Sequence, residues 1–441
     1  MRKLHLKHFR CYSDLSIDLK PGINLLVGDN ASGKTSLIKA CQYVLSAFFA
    51  GFSDENTQWK SFNADDFQRM FIGDKQLPSR PIQIVFDPTD LMQSLTPGYF
   101  NTKRAGLTSQ VLERKTPKKS RSLRTGLKAY ISYALWLHKS FFSSDERTQV
   151  KPLPLFAYYS VEDIHTRRRI NGKAFRGLKP KHTLGYLGCL DGDGFFRYWV
   201  MRLLILAERE RDTNGEELEF VRQSVLRFVG ESGCGLFVDM KVFPLSKEVV
   251  FEGLDGRKTP TDYLSEGQKR IVAMALDLAF RSYHLNYMLY REKTCDHITG
   301  MVLIDEVDMH LHPSLQAKVL PALRRAYPCV QFIASSHAPM VMSGIESNDD
   351  NVVYKLSYDK EDESYRVEEV YTYGLDLSSL VEQLWGLIPR AEQVAAELKE
   401  LFRLIRDKEH SKAKEMLQEL QDKYPDIPDL TRAEVMLRLL S

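Results

Sequence analysis

Eight residues constrain this chain more than any others. Gly28-Asp29-Asn30-Ala31-Ser32-Gly33-Lys34-Thr35 satisfies GxxxxGK[ST] at every fixed position. An apolar strand pattern at residues 23–27 precedes it, and a helical pattern at residues 34–49 follows. That is the setting in which backbone N–H groups surround phosphate oxygens and a helix start adds partial positive charge. The glycines, Gly28 and Gly33, free the backbone. Asn30 and Ser32 line the loop and Ser36 continues into the helix. Lys34 is placed to reach β- and γ-phosphates, and the Thr35 hydroxyl to ligate Mg²⁺. A chance glycine-rich turn is the bland alternative, and three further elements in the expected order oppose it. The expected cofactors are ATP and Mg²⁺.

The second element is Gly300-Met301-Val302-Leu303-Ile304-Asp305-Glu306, an apolar strand ending in two acids. Asp305 is expected to hold Mg²⁺ through its water shell, and Glu306 to orient or deprotonate the attacking water. On its own such a pair is as often a helix N-cap. The third is Leu264-Ser265-Glu266-Gly267-Gln268, opening a long amphipathic helix over residues 268–290. Ser265, Gly267 and Gln268 offer donors for an anion, or a simple N-cap. The fourth is His337, after the strand pattern of residues 330–335. A lone histidine there is usually structural, but its place after the acidic strand reverses that reading.

Taken together these motifs resemble ABC-type ATPases, whose LSGGQ signature is similar to LSEGQ. The resemblance implies a homodimer closed around two ATP molecules, with a higher oligomer as its extension. Ser265 and Gly267 of one subunit then contact the γ-phosphate held by the other, and His337 senses that phosphate. LIDEVDMHLHPSLQ resembles the RecF/SMC/OLD-like branch and makes Asp308 a D-loop residue. Phe9-Arg10-Cys11-Tyr12 also resembles that branch. It offers Arg10 as a phosphate contact and Tyr12 as an adenine neighbour, against an exposed arginine and a packed tyrosine. The branch also calls for a Q-loop glutamine. Gln68 and Gln83 both qualify, and Gln68 is preferred because Gln83 lies inside a strand pattern. His310 and His312 have no third ligand nearby, so packing and a turn at Pro313 account for them better than a metal.

Within that branch the chain resembles the ATPase component of Septu-type antiphage systems and their retron-associated relatives. GMVLIDEVDMHLHPSLQ, YPCVQFIASSHAPMV and the stretch from YTYGLDLSSLVEQLWG onward carry this resemblance. The signature departs from it, reading LSEGQ where LSDGQ is expected, and residues 88–155 match nothing in it. The resemblance implies slow ATP hydrolysis and control of a separate HNH nuclease. Glu346, Asp349 and Asp350 read as one solvated acidic loop, not as nuclease carboxylates. The rival readings are a RecF/SMC-like DNA-binding ATPase in DNA repair and an autonomous nuclease.

The expected fold is α/β: an ABC-type head, a mixed sheet flanked by helices, with a large, mostly helical insertion and a C-terminal helical segment. The expected boundaries are 1–87 and 241–385 for the two halves of the head, 88–240 for the insertion and 386–441 for the helical segment. Leu398, Leu401, Leu404 and Ile405, then Ala413, Met416, Leu417 and Leu420, recur at helical spacing. They read equally as packing on the parent domain or as docking of another chain. The net charge of +3 across 441 residues is too small to imply nucleic-acid binding by itself. Residues 101–128 concentrate nine bases against Glu113, which reads as a nucleic-acid contact or a solvated loop. Six scattered cysteines without CxxC spacing fit a reduced, cytoplasmic protein. No membrane partner is expected, since no apolar stretch is long enough to span a bilayer.

Overall fold

The computed structural model describes residues 1–52, 59–72, 75–89, 92, 109–117, 122–142, 151–161, 182–192, 195–209, 215–386 and 390–440. The alternating segments at the start form an antiparallel hairpin, β1 (Lys3–Phe9) and β2 (Tyr12–Asp18), with Leu4, Leu6, Leu15 and Ile17 buried. Strand β3 (Ile23–Val27) is buried at all five positions and leads into α1 (Lys34–Phe48). A short ribbon, β4 (Arg69–Ile72) and β5 (Lys75–Pro78), precedes β6 (Ile82–Phe86). Next come β7 (Gln110–Arg114), α2 (Lys128–Phe142), β8 (Leu155–Tyr159), α3 (Phe196–Arg209) and α4 (Glu216–Val229). A small sheet, β9 (Phe237–Phe243), β10 (Glu248–Gly253) and β11 (Lys258–Pro260), runs into α5 (Glu266–Tyr290). Then follow α6 (Thr294–His297), β12 (Gly300–Ile304), α7 (Pro313–Ala326), β13 (Val330–Ser335) and α8 (Pro339–Ser343). The hairpin β14 (Val352–Asp359) and β15 (Ser364–Val370) completes this unit.

The central sheet has the order β15-β14-β3-β13-β12-β8. Five of its strands run parallel and β15 is antiparallel to β14. Parallel strands covered on both faces need near-continuous apolar runs, as β12 and β8 have and as β3 has apart from Asn24, whose buried amide donates to the Lys20 carbonyl. The register pairs Ile304 with Ala334 and Ser335 with Leu26. The carboxyl ends of β3, β12 and β13 therefore align, and the loops after them meet on one edge. That edge is where open α/β sheets bind ligands. A second, antiparallel sheet, β2-β1-β6-β7, packs through β6 near α1.

The stretch read as an insertion supplies a strand to each main sheet, β7 to the antiparallel one and β8 to the central one. Helix α5 is tied to this stretch by hydrogen bonds that surround a buried ion pair within the helix. Arg281 Nε donates to Asp277 Oδ2 at 2.7 Å, and both side chains are 1% exposed. Tyr159 and Trp199 also donate to Asp277, while Arg281 donates to the Gly185 and Leu187 carbonyls. With every partner satisfied, the pair can remain charged in the interior.

Residues 376–441 form a separate compact unit. It holds α9 (Leu377–Trp385), α10 (Glu392–Arg406), α11 (His410–Lys423) and α12 (Pro428–Leu440). The periodic apolar residues of α10 and α11 close on one another and on Leu430, Ala433 and Leu437 of α12. Their spacing thus encodes the core of this unit itself, an outcome that neither expectation for them included. All six cysteines are free thiols. Among the described residues, no helix is long and apolar enough to cross a membrane.

Candidate nucleotide site

The phosphate loop takes its shape from backbone that only some residues adopt. Gly28 has φ of +144°, Ala31 +64° and Gly33 +96°. A Cβ at Gly28 would lie 2.2 Å from the Leu356 carbonyl oxygen, and one at Gly33 would lie 2.3 Å from the Tyr12 hydroxyl. Both positions therefore require glycine. Tyr12 is buried, and its hydroxyl donates to the Gly33 carbonyl at 2.9 Å. It buttresses the loop from beneath, which is the packed alternative of its two readings. Asn30 is exposed on the loop, Ser32 is buried and Ser36 is half-buried on the first turn of α1.

Lys34 Nζ donates to the Gly28 carbonyl at 2.8 Å, the Asp29 carbonyl at 2.7 Å and Ser32 Oγ at 3.2 Å. Burial pulls its pKa down to about 8, although Asp29, Asp305, Glu306 and Asp308 push it the other way. The ammonium is therefore held among acceptors in a site that is poorly hydrated.

Residues far apart in sequence meet next to it. Thr35 Oγ1 donates to Asp305 Oδ1 at 3.3 Å. Adjacent ligands of an octahedral Mg²⁺ ion lie about 3 Å apart, given bonds of 2.0–2.1 Å. This hydroxyl and carboxylate therefore suit neighbouring positions around such an ion. Among the described residues, no group of three or more His, Cys, Asp or Glu side chains is arranged to hold a metal. Any ion at this site thus depends on Thr35, Asp305 and phosphate oxygens. His312 serves instead as the N-cap of α7, accepting from the Ser314 amide.

The two serines before His337 organise the acidic side, and of these Ser335 had no role in the sequence reading. Ser335 Oγ donates to Asp305 Oδ1 at 2.6 Å and accepts from the Glu306 amide at 2.8 Å. Glu306 itself has φ of +49°, a conformation that costs a non-glycine residue energy and clusters at working sites. Ser336 Oγ donates to Asp308 at 2.6 Å, and the His337 amide reaches the same carboxylate oxygen at 3.4 Å. His337 is thus fastened to the turn after Asp305-Glu306. The one available signal was the pair of serines preceding the histidine, whose hydroxyls match the acids facing them. Arg270 was also passed over. It is buried in α5 and donates to the Asp305 carbonyl at 2.8 Å.

The other candidates sit further out. Arg10 Nε donates to Asp66 Oδ1 at 2.9 Å, so its guanidinium is engaged by a buried acid. The Gln68 amide donates to the His8 carbonyl, which places Gln68 beside the β1–β2 turn with a half-buried side chain. Gln83 Nε2 donates to Glu113 across the β6–β7 pair at 2.9 Å, so that amide is occupied within its sheet.

Ser265 caps α5, its hydroxyl accepting from the Gln268 amide while Gln268 Oε1 accepts from the Ser265 amide. Ser265 is exposed, whereas Gly267 is buried with its Cβ position 2.3 Å from the His310 carbonyl oxygen. Gly267 thus lets α5 pack closely against the turn after Asp305-Glu306. Of the basic segment, residues 101–108 and 118–121 lie outside the described residues. Within the described part, Arg114 donates to the Phe62 and Pro117 carbonyls, and Arg124 lies over the Trp59 ring.

Comparison with known proteins agrees with this geometry. A family model described as "AAA domain" matches residues 3–171. A second, "AAA domain, putative AbiEii toxin, Type IV TA system", matches residues 191–343. The retron Vc95 probable ATPase of Vibrio cholerae is 22% identical over 408 residues, covering 81% of this chain and 74% of that protein. The Septu protein PtuA of Bacillus mycoides is 29% identical over 197 residues, 43% of this chain and 26% of that protein. Among solved structures, the SMC head bound to the C-winged helix domain of ScpA aligns with a TM-score of 0.46 and 16% identity, over 84% of this chain and 97% of that one. With a complete phosphate loop set against an acidic strand end, and with the matches to the two AAA-domain models, the chain has a P-loop ATPase fold and is similar to the retron Vc95 probable ATPase and to the Septu protein PtuA.

Proposed function

We propose that this chain is the ATP-driven switch of a cytoplasmic antiphage defence complex, pairing head to head around two ATP molecules and controlling a separate HNH-type nuclease. The observation that carries the proposal is the contact between Thr35 and Asp305, which joins the phosphate loop to the acidic strand end. Lys34 neutralises β- and γ-phosphate oxygens. Thr35 and Asp305 hold Mg²⁺, which supplies charge neutralisation at the β- and γ-oxygens when bound. Glu306 orients the attacking water and takes up its proton, and His337 registers the γ-phosphate. Gln68 and Arg10 stand at the rim.

The exposed start of α5 is the half of the site that one chain does not use on its own ATP. Its capping box consumes the amides of Ser265 and Gln268. The Glu266 and Gly267 amides and the Ser265 O–H are left to face a phosphate on a second subunit. Hydrolysis is slow because the site is complete only while two subunits are closed. The likeness to PtuA supports the nuclease partner.

The test is Glu306→Gln with ATP and Mg²⁺, read by light scattering after size exclusion. ATP should convert the variant from single chains to a stable dimer, which should co-purify a small HNH protein from a host that encodes one. A variant that binds ATP yet stays monomeric would overturn the composite site. A trapped dimer that co-purifies DNA and no protein would overturn the nuclease reading.

A further inference from the structure

On and beside helix α1 lie further cations, of which the nucleotide reading leaves Lys39 and Lys60 unused. Thr35, Lys39 and Tyr43 are spaced four residues apart, so they stack on one face with roughly 5–6 Å between successive Cβ atoms. At the far end of this face, the Tyr43 hydroxyl donates to Asp66 at 2.5 Å, and the same carboxylate accepts from Arg10. Gln42, one residue round the helix, donates to the Leu190 carbonyl at 2.6 Å. Lys60 donates to that same carbonyl at 2.7 Å and to Asp191 at 2.9 Å. Arg10 and Lys60 therefore flank the helix on either side of Lys39. Arg10 is paired with Asp66, and Lys60 with Asp191.

Lys39 has no such partner. It is half-buried, its ammonium lies 5.3 Å from the centroid of the Tyr158 ring, and no carboxylate among the described residues pairs with it. The nearby Asp305 already accepts from both Thr35 and Ser335. Burial, then Arg10, then Lys60 push the Lys39 pKa down, and Asp66 and Asp305 only partly oppose them. A desolvated cation between two like charges is costly unless an anion joins it.

We propose that Lys39, flanked by Arg10 and Lys60, forms a phosphate-holding site one helical turn beyond Thr35, where the inorganic phosphate freed by ATP hydrolysis is retained before it leaves. The site rests on the reading of Lys34 and Thr35 as the ATP site, and extends it to the product. A tetrahedral dianion fits the three cations better than a carboxylate does, because it presents oxygens in more than one direction.

The test is calorimetric titration of inorganic phosphate into the full chain saturated with Mg²⁺ and ADP. Wild type should bind phosphate. Lys39→Met should weaken that binding by about tenfold or more, the loss of one charge-assisted contact, while ADP affinity stays within about twofold. Lys39→Arg should retain most of it, and Lys60→Met should show a smaller loss. Lys39→Met should also melt no lower than wild type without ligand, since it removes an uncompensated cation; Lys39→Gln provides the same readout should the methionine variant fail to fold. Phosphate binding that is equal in wild type and Lys39→Met overturns the proposal, as does ADP-loaded wild type that binds no phosphate. Wild type that binds no ADP would instead remove the nucleotide reading, and this site with it.

Discussion

Two helices in this chain start where a phosphate would be met, and they start differently. Helix α1 opens from left-handed glycine, with the Lys34 ammonium folded onto the Gly28 and Asp29 carbonyls. Its loop is shaped by Tyr12 beneath and by the Leu356 carbonyl beside it. Helix α5 opens from an exposed serine that caps its own helix through a reciprocal bond with Gln268. The first start carries its own lysine and lies beside Thr35 and Asp305. The second offers two backbone amides and a hydroxyl, alongside the acid Glu266, whose charge is answered by Lys269 at 3.3 Å. A helix start alone supplies only partial charge. The difference fits the proposal that α1 binds nucleotide within one chain while α5 acts on phosphate already held by another.

The comparison breaks most sharply at Lys34. Lys34→Ala should lower ATP affinity by about a hundredfold or more, since it removes charge-assisted bonds to two phosphates. A titration with fluorescent nucleotide measures this, and a loss smaller than tenfold would move the nucleotide away from α1. At α5 the pattern should invert. Ser265→Arg should cut turnover by about tenfold or more and abolish ATP-driven dimerisation, while ADP affinity stays within about twofold. If ADP affinity fell in parallel with turnover, both helix starts would belong to one site in one chain.

Much of this contrast could be read from the residues. The phosphate loop, the acidic strand end and the histidine each carry a pattern tied to a local conformation, and each lies at the end of a buried strand. What stayed hidden depended on register. Nothing near Ser335 in sequence shows that its hydroxyl reaches Asp305, because β12 and β13 must first pair in parallel with Ile304 opposite Ala334. Tyr12 was legible as an aromatic residue near the site but not as a support for Gly33, which needs the β1–β2 hairpin to pack against the loop. The β4–β5 ribbon and strands β7 and β9–β11 were missed because they are short or strongly charged. Conversely, the leucines of α10 and α11 were visible as a face, but their partner, α12, lay only a few residues further along.

Ser335 sharpens the comparison on the α1 side. Ser335→Ala removes the donor to Asp305 and the acceptor for the Glu306 amide. It should destabilise the fold by about 1–3 kcal/mol, because the Glu306 amide loses its partner. It should also lower kcat about fivefold with little change in KM, because Glu306 loses its positioning while the phosphate loop is intact. Steady-state kinetics with thermal melts separate these effects, and an unchanged kcat would leave Ser335 a purely structural role. Gly267→Ala probes the α5 side more gently. Its Cβ would meet the His310 carbonyl oxygen, so α5 must shift, at a cost of about 1–3 kcal/mol in melting experiments, and turnover should fall without loss of ADP binding.

The smallest effect is electrostatic and distinguishes the two helix starts by pH alone. The Lys34 pKa is drawn down to about 8 by burial, and phosphate oxygens must raise it, because they favour the charged form. Nucleotide binding therefore takes up a proton as pH rises past 8, and affinity declines there. For one such group, affinity should roughly halve between pH 7 and pH 8 and be about tenfold weaker by pH 9. The sign for stability is the opposite. Folding without ligand penalises the charged lysine, so the unfolded chain holds more protons between pH 8 and 10.5, and stability from this group rises across that window. Lys34→Arg cannot titrate in this range, so its affinity, whatever its absolute value, should be flat with pH. Calorimetry at pH 8.5 in buffers of different ionisation enthalpy counts the proton directly. Uptake in wild type and none in Lys34→Arg would assign the proton to α1, since α5 offers only amides and a hydroxyl. Equal uptake in both proteins would mean that Lys34 is not the group that meets the phosphate.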